Sequence, residues 1–327
     1  MAYKVGIVGC GGIAQVHGYA LKDMKDVEIV SVADIKMDRA LKFSEDFSGK
    51  AYDNFEMMLS AEKLDFLHIC TPHYLHVPMA VSALKKGINV LMEKPVCTTR
   101  EDLKLLKDTV TNSSAQFGVC FQNRYLPSSQ FAYNLIESGK AGKLLGARGI
   151  VTWFRNETYY VDSGWRGSSV TEGGGVMINQ AIHTLDLMIW LMGLPKRVSG
   201  KINNHHLKGI IDVEDTAEIF LEFEDSATGI FFASNANYKD VTPTLDIWCE
   251  NMEILLKGED VFVNGEIIQT EKLPEAMGKM VWGVGHKLLI SDFYEKIHNN
   301  VTFPVTVDEA SHSINAIFDL YKSSKGE

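Results

Sequence analysis

Gly9-Cys10-Gly11-Gly12-Ile13-Ala14 carries the spacing G-x-G-x-x-G/A, with alanine as the third small residue. The hexamer directly follows a β-branched run and opens an amphipathic segment, the context in which it can hold a pyrophosphate. Gly9 makes the tight turn, Gly11 lets backbone N–H groups approach the anion, Gly12 and Ile13 complete the loop, and Ala14 lets the helix pack on its strand. The next apolar run ends about twenty residues on at Asp34, where a carboxylate accepts hydrogen bonds from an adenosine ribose. A 2′-phosphate there would meet like charge, softened by the nearby Lys36, so the expected cofactor is NAD in preference to NADP. A structural glycine turn with a solvated Asp34 is the alternative.

A second set of residues could act on a substrate. Lys94, in Glu93-Lys94-Pro95, follows an apolar run and falls at the carboxyl end of a strand, where doubly wound sheets bind ligands. A cation there can polarise a carbonyl or stabilise an alkoxide; the plainer reading is a surface Glu–Lys pair. Asn179 and His183 are four apart and share a helix face, with Asp186 one turn further. An imidazole titrating near ~6.5 can exchange a hydroxyl proton, whereas Asn179 can hydrogen-bond a hydroxyl but cannot take its proton. The competing reading makes His183 part of a buried polar network. Arg124 and the aromatic loop containing Tyr159, Tyr160, Trp165 and Arg166 offer ring faces for stacking and donors for hydroxyls, a surface suited to sugars. The two arginines would also accept an acidic or phosphorylated sugar. A subunit-interface patch is the alternative for that loop. His286 could enter a pocket from a late helix, His205-His206 reads as a solvated turn, and no ligand set points to a metal.

The elements that must position these groups alternate in the first third of the chain. Apolar runs at Val5–Val8, Val27–Ala33, Phe66–Cys70, Asn89–Met92 and Phe117–Phe121 are separated by segments of helical period, one of them opened by Thr98 and Glu101 at capping-box spacing. Near-continuous apolar strands separated by helices imply a parallel sheet covered on both faces, a doubly wound Rossmann arrangement. After about Gln122 the pattern changes to helix, strand, polar aromatic loop, a helix from near Gly175, and then adjacent strand candidates between Val198 and Leu256. The expected fold is α/β, with a dinucleotide-binding domain over residues 1–122 and an α+β domain over 123–327 built on a large, open, mainly antiparallel sheet. The last helix would pack back on the first domain.

Composition narrows the function classes. Among 327 residues the net charge is −10, with no Lys/Arg run, which argues against nucleic acid. No stretch approaches ~18 uninterrupted apolar residues, so a membrane span is not expected, and the start lacks a signal-peptide pattern. Five scattered cysteines without C-x-x-C spacing read as reduced thiols of a cytoplasmic protein.

Thr71-Pro72, Glu93-Lys94-Pro95, and Gly173-Gly174-Gly175 leading to His183 and Asp186 together resemble the glucose-fructose oxidoreductase, inositol dehydrogenase and rhizopine-catabolism (Gfo/Idh/MocA) family across essentially the whole chain. The resemblance implies an NAD-dependent oxidoreductase acting on a CH–OH group of a sugar, inositol or related compound, assembled as a homodimer or homotetramer. It places Thr71, Pro72, His76, Glu93 and Lys94 at the cofactor, and Lys94, His183 and Asn179 in the chemistry. Many such dehydrogenases carry aspartate where this chain has Asn179. The same fold also resembles a nonenzymatic NAD-binding, sugar-responsive regulator, and glycosidases or oxidoreductases that recycle a tightly bound NAD.

Overall fold

The computed structural model describes residues 2–273 and 284–326. In chain order the first elements are β1 (Tyr3–Val8), α1 (Gly12–Lys22), β2 (Val27–Ala33), α2 (Met37–Phe47), β3 (Lys50–Tyr52), α3 (Phe55–Ala61), β4 (Phe66–Ile69), α4 (His76–Leu84), β5 (Asn89–Met92), α5 (Arg100–Thr111) and β6 (Phe117–Val119). There follow α6 (Pro127–Glu137), β7 (Leu144–Thr152), α7 (Glu157–Val161), α8 (Ile182–Met192), β8 (Arg197–Asn203), β9 (Thr216–Glu222), β10 (Thr228–Ser234), β11 (Thr244–Cys249), β12 (Glu253–Lys257), β13 (Asp260–Val263), β14 (Glu266–Ile268), α9 (Val284–His298) and α10 (Val307–Lys325). The chain divides into two compact units, Met1–Gln122 with Leu273–Ala310, and Asn123–Lys272 with Ser311–Glu327.

The first unit is a six-stranded parallel sheet in the order β3-β2-β1-β4-β5-β6. The order reverses between β1 and β4, which opens a crevice at the strands' carboxyl ends. The residues leaving these ends are Gly9, Asp34, Thr71 and Glu93, drawn from four separate parts of the sequence. The central β4 is buried throughout, as Phe66-Leu67-His68-Ile69, because helices cover both faces. The capping box at Thr98 and Glu101 is displaced by one residue: Thr99 caps α5, its Oγ1 accepting the Asp102 N–H at 3.0 Å. One step in register brings the side chain over the first turn's free donors, and Glu101 falls outside the motif. The three-residue β3 also lies outside the sequence reading, being too short and too polar to show a period.

The second unit holds an eight-stranded sheet, β14-β13-β12-β11-β7-β10-β9-β8, antiparallel except where β7 pairs with β10. α6 and α8 pack on one face. Strict alternation fits a sheet covered on one side: Gly229, Phe231 and Ala233 are buried, whereas Ile230 and Phe232 are 51% and 38% exposed. Phe220 and Trp248 add to that open apolar face. Among the described residues, no helix is long and apolar enough to cross a membrane.

Candidate functional site

In the first unit, Gly9 adopts φ +86°, and a Cβ there would meet the Cys70 carbonyl within 2.6 Å, so the turn itself requires glycine. Gly11 and Gly12 differ. A Cβ on either meets nothing within 4 Å, so protein packing does not demand glycine there, and the open space is available to a ligand over the start of α1. Ala14 is fully buried beneath the loop, and Ile13 is half-buried. Asp34 accepts the Cys10 N–H at 2.9 Å and the Lys36 N–H at 2.9 Å, which fixes its carboxylate beside the loop. Thr71, half-buried just before Pro72, has a buried Oγ1 that makes no hydrogen bond within the protein. Room above two glycines, a fixed carboxylate and an unused hydroxyl suit a dinucleotide.

Glu93 and His76 take other roles than the cofactor contacts expected of them. Glu93 is 5% exposed and turns inward, its Oε1 lying 3.1 Å from His17 Nε2 and 3.0 Å from His286 Nε2. His17 Nδ1 lies 2.7 Å from His68 Nδ1, and His68 Nε2 lies 2.9 Å from the Tyr294 hydroxyl. One proton order satisfies the chain: Tyr294 donates to His68, His68 to His17, and His17 to Glu93. Burial holds His17 and His68 below the usual imidazole range, which keeps them neutral. Burial works against the Glu93 charge as well, but the two imidazole donors outweigh it and hold the carboxyl well below its ordinary value. His286 therefore joins this network at 2% exposure. His76 is fully buried, its ring nitrogens 2.9 Å and 3.0 Å from the carbonyl oxygens of Pro95 and Thr71. It ties the Thr71-Pro72 turn to the Lys94-Pro95 turn. Lys94 itself is half-buried, with a cis peptide bond to Pro95. The sequence offered no metal ligand set, yet His17, Glu93 and Cys120 bring ligand atoms within 4.8 Å of one another. Three separate elements supply them, so no spacing motif could reveal the cluster.

In the second unit, the helix expected from near Gly175 opens as a π-type turn over Met177–Ala181 before continuing as α8. Such turns recur at functional sites because they re-aim side chains within a helix. Its start is capped from a distance. The 2%-exposed Glu214 accepts the N–H groups of Gly175 at 2.9 Å and Met177 at 3.0 Å, together with the Tyr321 hydroxyl at 2.9 Å. Burial pushes the Glu214 carboxyl up, and these donors counter it. Asn179 and His183 are both half-buried, and the Asn179 amide donates to Glu172, a residue outside the sequence-derived site.

Arg124 does not present its guanidinium as the free anion contact expected of it. It is 4% exposed, and its Nε and Nη2 reach the Asp186 carboxylate at 2.7 Å and 2.8 Å. Removing one partner of a buried ion pair leaves the other charge uncompensated, so Asp186→Ala should destabilise the protein by about 3–5 kcal/mol. The midpoint of urea unfolding measures this, and an unchanged midpoint would refute the pair's structural weight.

The aromatic loop also divides. Tyr160 is 4% exposed, packs with Leu207, Ile211 and Val213, and its hydroxyl accepts from Asn235 at 2.9 Å, so it serves the core instead of a ligand. Trp165 and Arg166 are half-buried, and the Arg166 guanidinium lies over Tyr159 at 4.5 Å and Trp165 at 4.9 Å. His205 and His206 are exposed in a turn whose N–H groups Asp215 gathers.

Comparison with known proteins bears on both units. A model described as an oxidoreductase family with an NAD-binding Rossmann fold matches residues 3–121, and one described as the GFO/IDH/MocA C-terminal domain matches residues 129–255. The chain is 30% identical over 226 residues to glucose-6-phosphate 3-dehydrogenase of Bacillus subtilis, covering 66% of this chain and 63% of that protein. It is 28% identical over 211 residues to D-glucoside 3-dehydrogenase of Escherichia coli, covering 63% and 58%. The matches thus span about three fifths of the length of these curated relatives. In fold, the chain superposes on the WlbA dehydrogenase of Bordetella pertussis, solved with NADH and UDP-GlcNAcA, with a TM-score of 0.88, 23% identity, and coverage of 99% and 97% of the two chains.

Proposed function

Because this chain belongs to the Gfo/Idh/MocA oxidoreductase family, we propose that it oxidises a CH–OH group of a sugar, inositol or sugar derivative with NAD. The observation that carries the reading is the glycine loop, with open space over Gly11 and Gly12 beside the fixed Asp34 carboxylate. NAD, when bound, accepts the hydride. Gly9 to Ala14 hold its pyrophosphate, Asp34 its adenosine ribose, and Thr71 supplies a hydroxyl. Lys94 stabilises the oxygen from which the proton departs, His183 takes that proton, and Asn179 orients the hydroxyl. The names of the relatives in Bacillus subtilis and Escherichia coli support a glucose-type substrate. Trp165 and Arg166 are the substrate contacts left by the inward turn of Arg124 and Tyr160.

Asp34 sets the preference for NAD over NADP, since a 2′-phosphate would lie against its charge. Asp34→Ser should therefore raise kcat/KM for NADP relative to NAD by about 10-fold or more. Steady-state kinetics with both cofactors tests this, and an unchanged ratio would remove Asp34 from the preference. The exposed Phe220, Ile230, Phe232 and Trp248 support a homodimer or homotetramer, which a monomer mass in light scattering would refute. The five cysteines are free and buried, which supports a cytoplasmic setting.

The deciding experiment follows absorbance of reduced nicotinamide while the protein is offered NAD, then NADP, with inositols, aldoses, sugar acids, glucosides and sugar phosphates. Turnover of one class, faster with NAD, is expected. Silence across every class despite NAD binding would overturn the reading in favour of a regulator or a tightly held cofactor.

A further inference from the structure

We propose that His76 is a positioning residue that sets the cofactor turn and the turn carrying Lys94 through two separable bonds, Nε2 holding the first turn and Nδ1 the second. The inference rests on the dehydrogenase reading above and adds to it a fully buried residue that acts through the backbone it holds.

His76 is the first residue of α4 and is 0% exposed. Its Nδ1 lies 2.9 Å from the Pro95 carbonyl oxygen, and its Nε2 lies 3.0 Å from the Thr71 carbonyl oxygen. The two carbonyls follow the paired strands β4 and β5, so the ring braces neighbouring strand ends. What each turn governs is set by its other contacts. A Cβ added to Gly9 would meet the Cys70 carbonyl oxygen at 2.6 Å and the Thr71 nitrogen at 2.9 Å, which places the Cys70-Thr71 backbone directly against the pyrophosphate turn. A displaced Thr71 carbonyl is therefore felt at the cofactor. Lys94 stands between two anchored neighbours: the Glu93 carboxylate meets His17 and His286, and the Pro95 carbonyl meets His76. Releasing Pro95 frees one end of the turn that carries Lys94.

Both ring nitrogens face acceptors, and this restricts the proton states of the ring. A neutral imidazole has one N–H and one lone pair, so a fixed tautomer would leave one carbonyl opposed by a lone pair at hydrogen-bond distance. An imidazolium bonds both carbonyls. Burial holds His76 below the ordinary imidazole range; the Pro95 and Thr71 carbonyls and the Glu93 charge work against burial, and the Lys94 charge works with it. The His73 ring also lies beside it, with centroids 5.7 Å apart. His76 therefore serves both turns by exchanging one proton between its nitrogens or by carrying two. In neither case is one nitrogen permanently bare.

Two substitutions separate the bonds. The Asn amide nitrogen lies as many bonds from Cβ as His Nδ1 does, and the Gln amide nitrogen as many as His Nε2 does. His76→Asn should therefore keep kcat near the parent value and weaken NADH binding by about 10-fold, whereas His76→Gln should keep NADH affinity and lower kcat by about 10-fold. Fluorescence titration with NADH reads the first quantity. Turnover of methyl α-D-glucopyranoside, glucose 6-phosphate and myo-inositol at saturating NAD reads the second. Equal losses of both quantities in the two variants would make His76 a packing residue only, and no loss in either would remove it from the site; each result overturns the role. In wild-type protein labelled with 15N at histidine, with the ring assigned through its own backbone, neither His76 nitrogen should carry the shift of a bare acceptor. One protonated and one bare nitrogen overturns the double tie, and this readout needs no variant to fold. Failure of the wild-type protein to turn over all three sugars while NADH binds overturns the dehydrogenase reading and, with it, the assignment of Nδ1 to the catalytic turn.

Discussion

Replacing Lys94 or His183 with alanine is expected to lower kcat/KM by about a thousandfold, with NAD affinity close to that of the parent protein. The split follows from where the groups sit. The pyrophosphate loop, Asp34 and Thr71 follow β1, β2 and β4, and Asp34 is held by the N–H groups of Cys10 and Lys36. In the proposed roles, a charge-stabilising lysine and a proton-accepting histidine act on the transition state, so their loss would appear in kcat more than in cofactor binding. Fluorescence titration with NADH beside steady-state kinetics separates the two quantities. Unchanged kcat/KM in either variant would remove that residue from the mechanism, and a matching loss of NADH affinity would make it a cofactor contact.

Gly175→Ala should destabilise the protein by about 3 kcal/mol or more. An added Cβ would collide with the Glu214 carbonyl oxygen, and neither side can withdraw easily. That carbonyl accepts the Val176 N–H at 3.0 Å, and the Glu214 carboxylate holds the N–H groups of Gly175 and Met177. The opening of the helix is thus pinned to one residue by both backbone and side chain. Gly11→Ala serves as the contrast: a Cβ there meets nothing in the protein, so stability should hold while NADH affinity falls. Urea unfolding of the two variants tests the distinction, and a Gly175→Ala protein as stable as its parent would show that the approach of Glu214 yields without cost.

The fold was legible wherever one local period dominated. β2 and β5 lie at the bounds their apolar runs predicted, and Thr306 caps α10, its Oγ1 accepting the Glu309 N–H at 3.3 Å. The parallel sheet followed from unbroken apolar strands such as β4, and the open sheet from turn-linked strands whose alternation leaves Ile230 and Phe232 exposed. β13 and β14 were missed because the first has four residues and the second three, too few to establish a period. The π-type turn was missed for another reason. It depends on Glu214 reaching across from a different part of the chain, and no local pattern records that.

The candidate site was legible in its motifs and hidden in its supports. Gly9, Gly11 and Asp34 announce themselves by spacing. His17, His68, His286 and Tyr294 around Glu93 do not, because helix and strand periods mark such positions only as inward-facing. Arg124 and Tyr160 have the composition of ligand contacts, and their partners Asp186 and Asn235 turn them inward. A sequence shows what a side chain can do; its partner decides what it does. Glu172 carried one faint signal, an acidic residue immediately before a glycine run.

The return of Leu273–Ala310 to the first unit bears on the order in which the chain can fold as it is made. Val119 completes the sixth strand of the parallel sheet long before His286 and Tyr294 leave the ribosome. Until they do, Glu93 has one imidazole donor instead of two, and His68 lacks the hydroxyl it accepts from. A nascent first unit therefore carries a buried carboxylate short of a donor, together with the apolar bed that Phe293 and Phe303 fill against Gly118. Both conditions favour a loosely packed, chaperone-accessible intermediate that consolidates only after Asn123–Lys272 of the second unit has been synthesised.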